Sequence, residues 1–331
     1  MQPAREAPRD RIAAFQSATE AAARARRALK GVVFGQDAAV ELALAAVVAG
    51  GHALLVGAPG LAKTKLVHAL GKVLGLQTGR VQFTPDLLPS DITGTDVLDE
   101  NPEGRRFRFE QGPIFRQLLM ADEINRASPR TQSALLEAMQ EGAVTSGGVT
   151  RPLPKPFHVL ATQNPIEQEG TYPLPEAQLD RFLVQIDMSY PDRDDERRVL
   201  IETTGWGDVD PPAVLDAETL IELQKLAVEL PVGESVVDAI LELVRRARPD
   251  EAGAPAVVAR NVQWGPGPRA GQALMRLARA RALLDGRPSP SLGDVKAQAL
   301  PVLKHRMILS FAARADGVTP EAVVQALTDR L

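Results

Sequence analysis

The sequence predicts an α/β protein: a parallel five-stranded sheet with helices on both faces and two β-hairpin insertions, followed by a smaller all-helical domain. Three observations predict this. Apolar strand patterns alternate with helical patterns through the first 190 residues, which is typical of a parallel sheet. After Pro191 the strand patterns stop and helical periodicity continues alone. A length of 331 residues fits about two domains.

The N-terminal segment, residues 1–30, is expected to be a helical extension. Residues 10–31 have helical spacing, with apolar side chains on or near one face at Ile12, Phe15, Ala22 and Leu29. A short link over 32–36 leads to a second helix, which ends at Gly50-Gly51.

The α/β core is expected over residues 31–190. Its strands are predicted at 53–56, 80–84, 117–121, 158–162 and 182–187. Ligands of such sheets bind at the carboxyl ends of the strands, so the residues that follow each strand are candidates for a site.

Two β-hairpins are predicted to project from this core. The first covers residues 93–112 and turns at 99–104, where Asn, Pro and Gly occur. The second turns at Gly147-Gly148, between strands at 143–145 and 149–151. Insertions of this kind are often working surfaces, although they can also be decorative.

The third part, residues 191–331, is expected to be an all-helical lid domain. No further strand is evident there, and two loops rich in Gly, Pro and Asp are predicted around 205–212 and 248–267. The helices are predicted at 193–204, 216–228, 232–248, 268–285, 291–303 and 318–330.

Composition excludes several classes of protein. Without cysteine there is no disulfide framework and no thiolate metal site, and the four histidines are too scattered to indicate zinc. A net charge of −4 argues against a protein that works on nucleic acid. No run approaches the roughly 20 apolar residues of a membrane helix, so we expect a cytoplasmic protein without membrane insertion.

A phosphate-binding loop follows the first strand, and a helix from Lys63 follows the loop. The loop and helix start are formed by Gly57, Ala58, Pro59, Gly60, Leu61, Ala62, Lys63 and Thr64. Such a loop directs backbone N–H groups at phosphate, with Lys63 reaching the outer phosphates and the Thr64 hydroxyl binding Mg²⁺. Ala62 stands where the usual pattern has a second glycine, which costs little if residue 62 is already helical.

Polar residues also follow two later strands. Asp122 is placed to hold Mg²⁺, and Glu123 to orient and deprotonate a water that attacks a γ-phosphate. Asn164 follows the fourth strand and precedes a proline, and its amide can hydrogen-bond both that water and the phosphate. The alternatives are that the carboxylates cap the next segment and that Asn-Pro forms a turn.

Two arginines are candidates by position. Arg181 precedes the last strand, where it can act on a neighbouring subunit as an arginine finger or pair with Asp180 or Glu176. Arg269 lies in the first turn of a helix after Gly267-Pro268, where a cation opposes the helix dipole unless an anion is near. Arg269 is therefore expected to contact phosphate. The other arginines of this helix are expected to be solvated: Arg276, Arg279 and Arg281.

Together these segments resemble the MoxR family of AAA+ ATPases over nearly the whole chain after residue 30. The blocks that carry the resemblance are GAPGLAKT at 57–64, FTPDLLPSD at 83–91, ADEINRA at 121–127, QSALLEAMQE at 132–141, ATQNP at 161–165, LPEAQLDRF at 174–182 and GPGPRA at 265–270.

The resemblance implies a role for each candidate. Lys63 and Thr64 are then Walker A residues, Asp122 and Glu123 are Walker B residues, and Asn164 is sensor 1. Arg181 becomes the trans finger and Arg269 the sensor-2 arginine. The hairpins look like the helix-2 insert and the pre-sensor-1 hairpin. The implied nucleotide-binding set is Phe34, Gly35 and Gln36, beside the adenine, with Gly57, Ala58, Pro59, Gly60, Leu61, Ala62, Lys63, Thr64 and Lys65.

The resemblance further implies ATP and Mg²⁺ as cofactors and assembly into a ring, usually a hexamer. A client protein is expected to be remodelled or activated, with a separate von Willebrand factor A domain protein as a partner. Alternatives are a magnesium-chelatase motor subunit, a DNA-acting motor, for which Arg105, Arg106 and Arg108 on one hairpin argue, and a nucleotide switch without turnover.

Overall fold

A computed structural model describes residues 8–101, 104–167, 170–204 and 210–331 of the chain. Its strands are, in chain order, β1 (Ala53–Val56), β2 (Thr78–Gln82), β3 (Gly94–Asn101), β4 (Gly104–Gln111), β5 (Leu118–Asp122), β6 (Ala143–Ser146), β7 (Val149–Pro152), β8 (His158–Gln163), β9 (Val184–Asp187), β10 (Val262–Trp264) and β11 (Ile308–Leu309).

The helices begin with a long N-terminal one, and short 3₁₀ turns cover Ile124–Arg126 and Lys304–Arg306. The α-helices are α1 (Pro8–Lys30), α2 (Asp37–Val48), α3 (Lys63–Val73), α4 (Pro89–Thr93), α5 (Pro129–Glu141), α6 (Glu176–Leu179), α7 (Arg193–Thr203), α8 (Ala217–Glu229), α9 (Glu234–Arg246), α10 (Ala256–Asn261), α11 (Pro268–Leu284), α12 (Leu292–Leu303), α13 (Phe311–Ala315) and α14 (Pro320–Thr328).

The central sheet has five parallel strands in the order β2-β5-β8-β1-β9, which confirms the predicted fold class. Alternate residues of each strand enter two aliphatic cores on opposite faces. Leu55, Leu118 and Leu160 pack with the helices α1, α2, α3 and α11, whereas Leu54 and Leu119 pack with α5. The strand β2 begins two residues earlier than the sequence predicts.

Both predicted hairpins form, and they contact each other. The pair β3–β4 is antiparallel in the register Gly94↔Gln111, and its predicted turn includes residues 102 and 103, which lie outside the described residues. At the β6–β7 turn, Gly147 and Gly148 both have positive φ, as a two-residue hairpin turn requires. Arg151 of the second hairpin pairs with Asp96 of the first at 3.4 Å.

The C-terminal part is helical but includes one feature that the sequence did not indicate. The strands β10 and β11 pair antiparallel, and the helix α10 lies inside the predicted loop 248–267. The expectation of no strand after Pro191 was therefore wrong: each of these strands has only two or three residues, too few for a periodic signal. Of the other predicted loop, residues 205–209 lie outside the described residues.

The lid packs on the core through polar contacts as well as apolar ones. Arg276 of α11 donates to the carbonyl oxygens of Ala49, at 2.6 and 3.0 Å, and Gly50, at 2.8 Å, just after α2. A guanidinium near the last carbonyl groups of a helix donates to acceptors that have no partner within the helix. Its charge also interacts favourably with the helix dipole. Arg281 lies 3.4 Å from the buried carboxylate of Asp294. Both arginines keep part of their side chain in solvent, as predicted, but each also has partners in other elements that the sequence did not indicate.

Candidate functional site

The loop after β1 has the geometry of a phosphate cradle. Gly57 is in close contact with the segment that follows β9, since a Cβ at Gly57 would lie 2.8 Å from the Met188 carbonyl oxygen. Gly60 has φ +84° and is open on the side where a Cβ would point. Lys63 donates from Nζ to the carbonyl oxygens of Gly57 and Ala58, both at 2.7 Å. The lysine is thus held at the concave side of its own loop.

The start of α3 fits an anion. Ala62 occupies the N-cap position and has no side-chain oxygen to accept from the first-turn amides. The first turn also contains no acidic residue. Backbone N–H groups at such an uncapped helix start are a ready site for phosphate. Thr64 is exposed in the same turn, whereas Leu61 is buried and anchors the loop to the core.

Ala62 itself is left-handed, with φ 61° and ψ 23°. A helical residue 62 was the condition for a small cost, and the structure does not meet it, because closing the loop onto α3 requires positive φ at this position. For a residue with a Cβ this conformation costs roughly 1–2 kcal/mol. Strain of this kind is common in ligand-binding loops.

Lys63 lies close enough to the acidic strand end for the charges to interact. Partial burial lowers the pKa of the Lys63 ammonium, and the carboxylates of Asp122 and Glu123 oppose that shift. The three side chains that the sequence placed at the ends of β1 and β5 therefore form one charged cluster. A hydroxyl and a carboxylate, from Thr64 and Asp122, are the hard oxygen donors that suit Mg²⁺.

Thr162 organises the two carboxylates, a role for which no local sequence pattern gave a signal. It is fully buried at the end of β8, where its Oγ1 donates to Asp122 Oδ1 at 2.6 Å and accepts from the Glu123 N–H at 2.8 Å. Arg80 of β2 donates to the other Asp122 oxygen at 2.5 Å. The orientation of the Asp122 carboxylate is therefore fixed by a hydrogen bond to each of its two oxygens.

Glu123 is held in a strained backbone conformation, with φ 55°. Its Oε2 accepts from Gln82 Nε2 at 2.7 Å and from Arg126 at 3.2 Å. A non-glycine residue with positive φ costs energy that is often spent on aiming a functional side chain. Gln82 was inside a predicted strand and Arg126 inside a resemblance block, but neither was expected at the site.

Asn164 is buried directly after β8, with 4 % exposure. Its Oδ1 accepts from the N–H of Ile166 at 3.1 Å, which is the local turn that the sequence offered as the alternative. That bond uses the amide oxygen and leaves the side-chain NH₂ as the group for donation. Both the turn and a phosphate contact are therefore compatible with this geometry.

The segment 34–36 adjoins the phosphate loop through residues 188–191. Gln36 is buried and donates to the carbonyl oxygen of Ser189 at 2.8 Å. Gly35 has φ +70°, and a Cβ there would lie 2.5 Å from the Pro191 side chain. Phe34 lies under the guanidinium of Arg198, 4.9 Å from the ring centre. An aromatic ring here fits contact with a flat base.

Arg181 and Arg269 lie at the opposite edge of the sheet from the phosphate loop. Arg181 precedes β9. Two residues later, the N–H of Leu183 donates to the carbonyl oxygen of His52, which lies just before β1. Arg181 donates to Gln140 Oε1 and to the Ala177 carbonyl oxygen, both at 3.2 Å. The phosphate loop instead follows the far end of β1. Four strand residues separate the two edges by about 13 Å, at ~3.3 Å per residue.

Arg269 pairs with Asp180, the residue that precedes Arg181. Arg269 Nη1 lies 3.6 Å from Asp180 Oδ2, so the anion beside this helix start is a protein carboxylate. A cavity of about 270 Å³ adjoins them. Its lining includes four guanidinium groups, those of Arg181, Arg269, Arg276 and Arg306, and among the lining residues the one carboxylate is that of Asp180. The excess of positive charge makes this edge attractive to an anion.

Comparisons with known proteins agree with this geometry. A sequence model of the "ATPase family associated with various cellular activities (AAA)" matches residues 52–184, and one of the "AAA lid domain" matches 255–327. The chain is 41% identical to Chaperone MoxR1 of Mycobacterium tuberculosis, over 97% of this chain and 85% of that protein. It is 33% identical to Protein MoxR of Methylorubrum extorquens, over 92% and 93%.

This chain belongs to the MoxR family of AAA+ ATPases. YeaC of Bacillus subtilis is 44% identical over 89% of both chains. The crystal structure of a putative ATPase from Cytophaga hutchinsonii superposes with a TM-score of 0.90, covers 98% of both chains and is 37% identical. Members of this AAA+ family use ATP and Mg²⁺ in general. None of the helices in the described ranges has the length and apolar character of a membrane span.

Proposed function

We propose that this MoxR-family chain hydrolyses Mg-ATP at a site shared between neighbouring subunits of a ring, a hexamer by family resemblance. The observation that carries the proposal is the division of charged groups between two edges of one sheet. Lys63 and the acidic strand end lie at the carboxyl edge, and Arg181 and Arg269 lie together at the amino edge. A chain cannot bring both sets to one phosphate, whereas a neighbour in a ring can.

The reaction is a water attack on the γ-phosphorus. Glu123 takes a proton from the water as its oxygen bonds to phosphorus, and the bond to the β–γ bridging oxygen breaks to give ADP and phosphate. Asn164 holds the water and a γ-phosphate oxygen, and Lys63 binds the outer phosphates. Thr64 and Asp122 hold Mg²⁺, which when bound neutralises phosphate charge. Arg181 and Arg269 of the adjacent subunit stabilise charge that develops in the transition state.

The nucleotide itself is held by the cradle and the segment beside it. Phe34, Gly35 and Gln36 border the base. Backbone groups of the loop and the first turn of α3 bind the phosphates, from the residues Gly57, Ala58, Pro59, Gly60, Leu61, Ala62, Lys63, Thr64 and Lys65. The fit of an uncapped helix start and of Lys63 at the concave side of the loop supports this assignment.

The catalytic proposal is tested by mixing inactive variants. Glu123→Gln is expected to bind ATP and lose turnover, and Arg181→Ala is expected to lose roughly 10³-fold or more in kcat. Mixed rings should regain activity, because a Glu123→Gln subunit donates its intact Arg181 to the intact cradle of an Arg181→Ala neighbour. Activity per wild-type chain should also rise with protein concentration. Mixtures as inactive as the separate variants would contradict a shared site.

We further propose that the ring remodels or activates a client protein, together with a von Willebrand factor A domain protein. The name of the relative Chaperone MoxR1 supports the client role. The test is affinity capture with Glu123→Gln in ATP, with Lys63→Ala, which is expected to lose ATP binding, as the control. A von Willebrand factor A domain protein should be enriched only with the ATP-bound variant. Equal capture by both variants would contradict nucleotide-dependent binding.

A further inference from the structure

The lid holds the segment that carries Arg181. We call residues 180–183 the finger loop. Arg306, in the 3₁₀ turn Lys304–Arg306 of the lid, is 7 % exposed and reaches into this loop. Its Nε donates to Asp180 Oδ1 at 2.7 Å, and its Nη2 donates to the carbonyl oxygens of Phe182, at 2.6 Å, and Asp180, at 3.2 Å. Its Nη1 donates to Leu183 O at 3.2 Å.

A fifth bond completes the set. Arg306 Nη1 also donates to the Val302 carbonyl oxygen in α12, at 2.7 Å. A guanidinium has five N–H donors in a rigid planar fork, and here all five have acceptors. Four of the acceptors lie in the finger loop and one lies in the lid. The position of the fork therefore defines the position of the finger loop relative to α12.

The neighbouring residues strengthen the same contact. His305 Nε2 lies 3.1 Å from the Phe182 carbonyl oxygen, and burial holds the pKa of His305 well below its usual range, so the ring is neutral and donates. Asp180 also forms an ion pair with the lid at its second oxygen, because Arg269 Nη1 lies 3.6 Å from Oδ2. One carboxylate thus joins the finger loop to two separate parts of the lid.

The buried positive charge of Arg306 is stabilised by a carboxylate partner, Asp180. Burial lowers the pKa of its guanidinium, and the hydrogen bond and charge of Asp180 oppose that shift. An arginine stays protonated in a protein, so the buried cation depends on its carboxylate and carbonyl partners. A lysine would keep the charge and lose the planar fork, so it cannot hold four acceptors at once.

We propose that Arg306 is a positioning residue for Arg181: it makes the lid and the finger loop one unit, so that the lid sets where Arg181 meets the neighbour's nucleotide. The proposal rests on the shared site described under Proposed function. Lid movement at one subunit then changes catalysis at the next one, and the coupling passes through Asp180 and Arg306.

The first test is Arg306→Lys. Arg181 keeps its own side chain but loses its alignment, and a displacement of about 1 Å at a catalytic group can cost about 10²-fold. We expect kcat for ATP to fall about 10²-fold while KM changes less than about twofold, because the variant's own cradle lies at the other edge of the sheet. The matched control is Arg314→Lys, since Arg314 also donates to a lid carbonyl, that of Leu309, away from the finger loop. It should retain wild-type kcat.

Mixing distinguishes this proposal from general damage. Rings of Arg306→Lys with Glu123→Gln should regain activity, because the Arg306→Lys cradle is intact and receives a well-placed Arg181 from its neighbour. Rings of Arg306→Lys with Arg181→Ala should stay inactive. If Arg181→Ala is rescued by Glu123→Gln and Arg306→Lys is not, the shared site stands and the positioning role is wrong. If neither is rescued, the shared site itself fails.

A second variant, at the partner of Arg306, tests whether the loss of kcat has a cause other than unfolding of Arg306→Lys. Asp180→Asn keeps the shape and an acceptor for Arg306 Nε, but it loses the charge that joins the two lid arginines. Its melting temperature should fall, because the buried Arg306 cation loses its carboxylate, but the folded variant should show the same loss of kcat and the same rescue by Glu123→Gln. Wild-type kcat in both folded variants would overturn the proposal.

Discussion

Acidification is expected to destabilise the junction between core and lid through His158. This residue is buried at the start of β8, with 2 % exposure. Its Nδ1 lies 2.8 Å from the Gly51 carbonyl oxygen, so Nδ1 carries the proton. Its Nε2 lies 3.0 Å from Gln224 Nε2 of α8 and accepts from that amide. A proton on Nε2 would place two donors face to face.

The sign and size of the effect follow from the pKa. Burial, with a contribution from the charge of Arg276, lowers the pKa of His158 to about 4. In the unfolded chain the value is about 6.5. Because the folded pKa is depressed, the stabilisation is complete above about pH 6.5 and is lost as the pH falls. At pH 5 the linkage relation gives a loss of about 2 kcal/mol relative to pH 8. Burial lowers the pKa of His52 to about 3, so its effect has the same sign.

The assay compares urea unfolding at pH 8 and pH 5 for wild type and His158→Asn. Asparagine can donate to the Gly51 carbonyl as Nδ1 does but does not titrate. The variant is expected to be less stable at pH 8 by about 1–2 kcal/mol, from the lost contact with Gln224. Its further loss between pH 8 and pH 5 should be smaller than that of wild type by about 2 kcal/mol.

Two results would refute this reasoning. One is an equal loss of stability on acidification in wild type and His158→Asn, which would assign the pH dependence to other groups. The other is a directly measured titration of the His158 ring by NMR with a midpoint above pH 6. Either would mean that the folded protein accommodates the protonated ring, for example through a flipped Gln224 amide.

Two further predictions concern the candidate site. Thr162→Val keeps the shape and removes the bonds to Asp122 and the Glu123 N–H, so we expect a loss of about 1–3 kcal/mol in urea unfolding and a clear fall in ATP turnover. Thr162→Ser, which retains the hydroxyl, should keep most of the stability and most of the ATP turnover. Equal losses of stability and turnover in the two variants would contradict the role of the hydroxyl. Ala62→Gly relieves a left-handed alanine and should raise the free energy of unfolding by up to about 1 kcal/mol, net of the entropy of glycine. A lower melting temperature for Ala62→Gly would show that Ala62 is not strained.

Local patterns were enough to predict the sheet and the carboxyl-edge cluster. The strand preceding Gly57 and the strand preceding Asp122 each have apolar runs bounded by turn residues, and parallel strands bring their carboxyl ends to one edge. The proximity of Lys63 to Asp122 is consistent with that rule, because only β8 separates β1 from β5 in the sheet. The same rule could not predict Thr162, since a threonine inside an apolar strand has no local sign of its partners.

Contacts between distant parts of the chain were not predictable in this way. The guanidinium of Arg276 satisfies carbonyls 226 and 227 positions earlier in the sequence. Arg306 meets the finger loop across more than 120 positions. In both cases the informative feature is the place where the lid docks, and helical periodicity fixes which face of a helix is buried but not what lies opposite it.

The pairing of Arg269 with Asp180 bears on how such a site can exchange partners. Arg269 is half exposed and lies 3.6 Å from the carboxylate, and an ion pair of that kind contributes about 0–1 kcal/mol. Its place in the first turn of α11 costs roughly 0.3–1 kcal/mol when no anion is near. The pair therefore little more than offsets the unfavourable helix position. A phosphate with more negative charge than one carboxylate can displace Asp180 at small cost, while Arg306 retains Asp180 and keeps the finger loop in place.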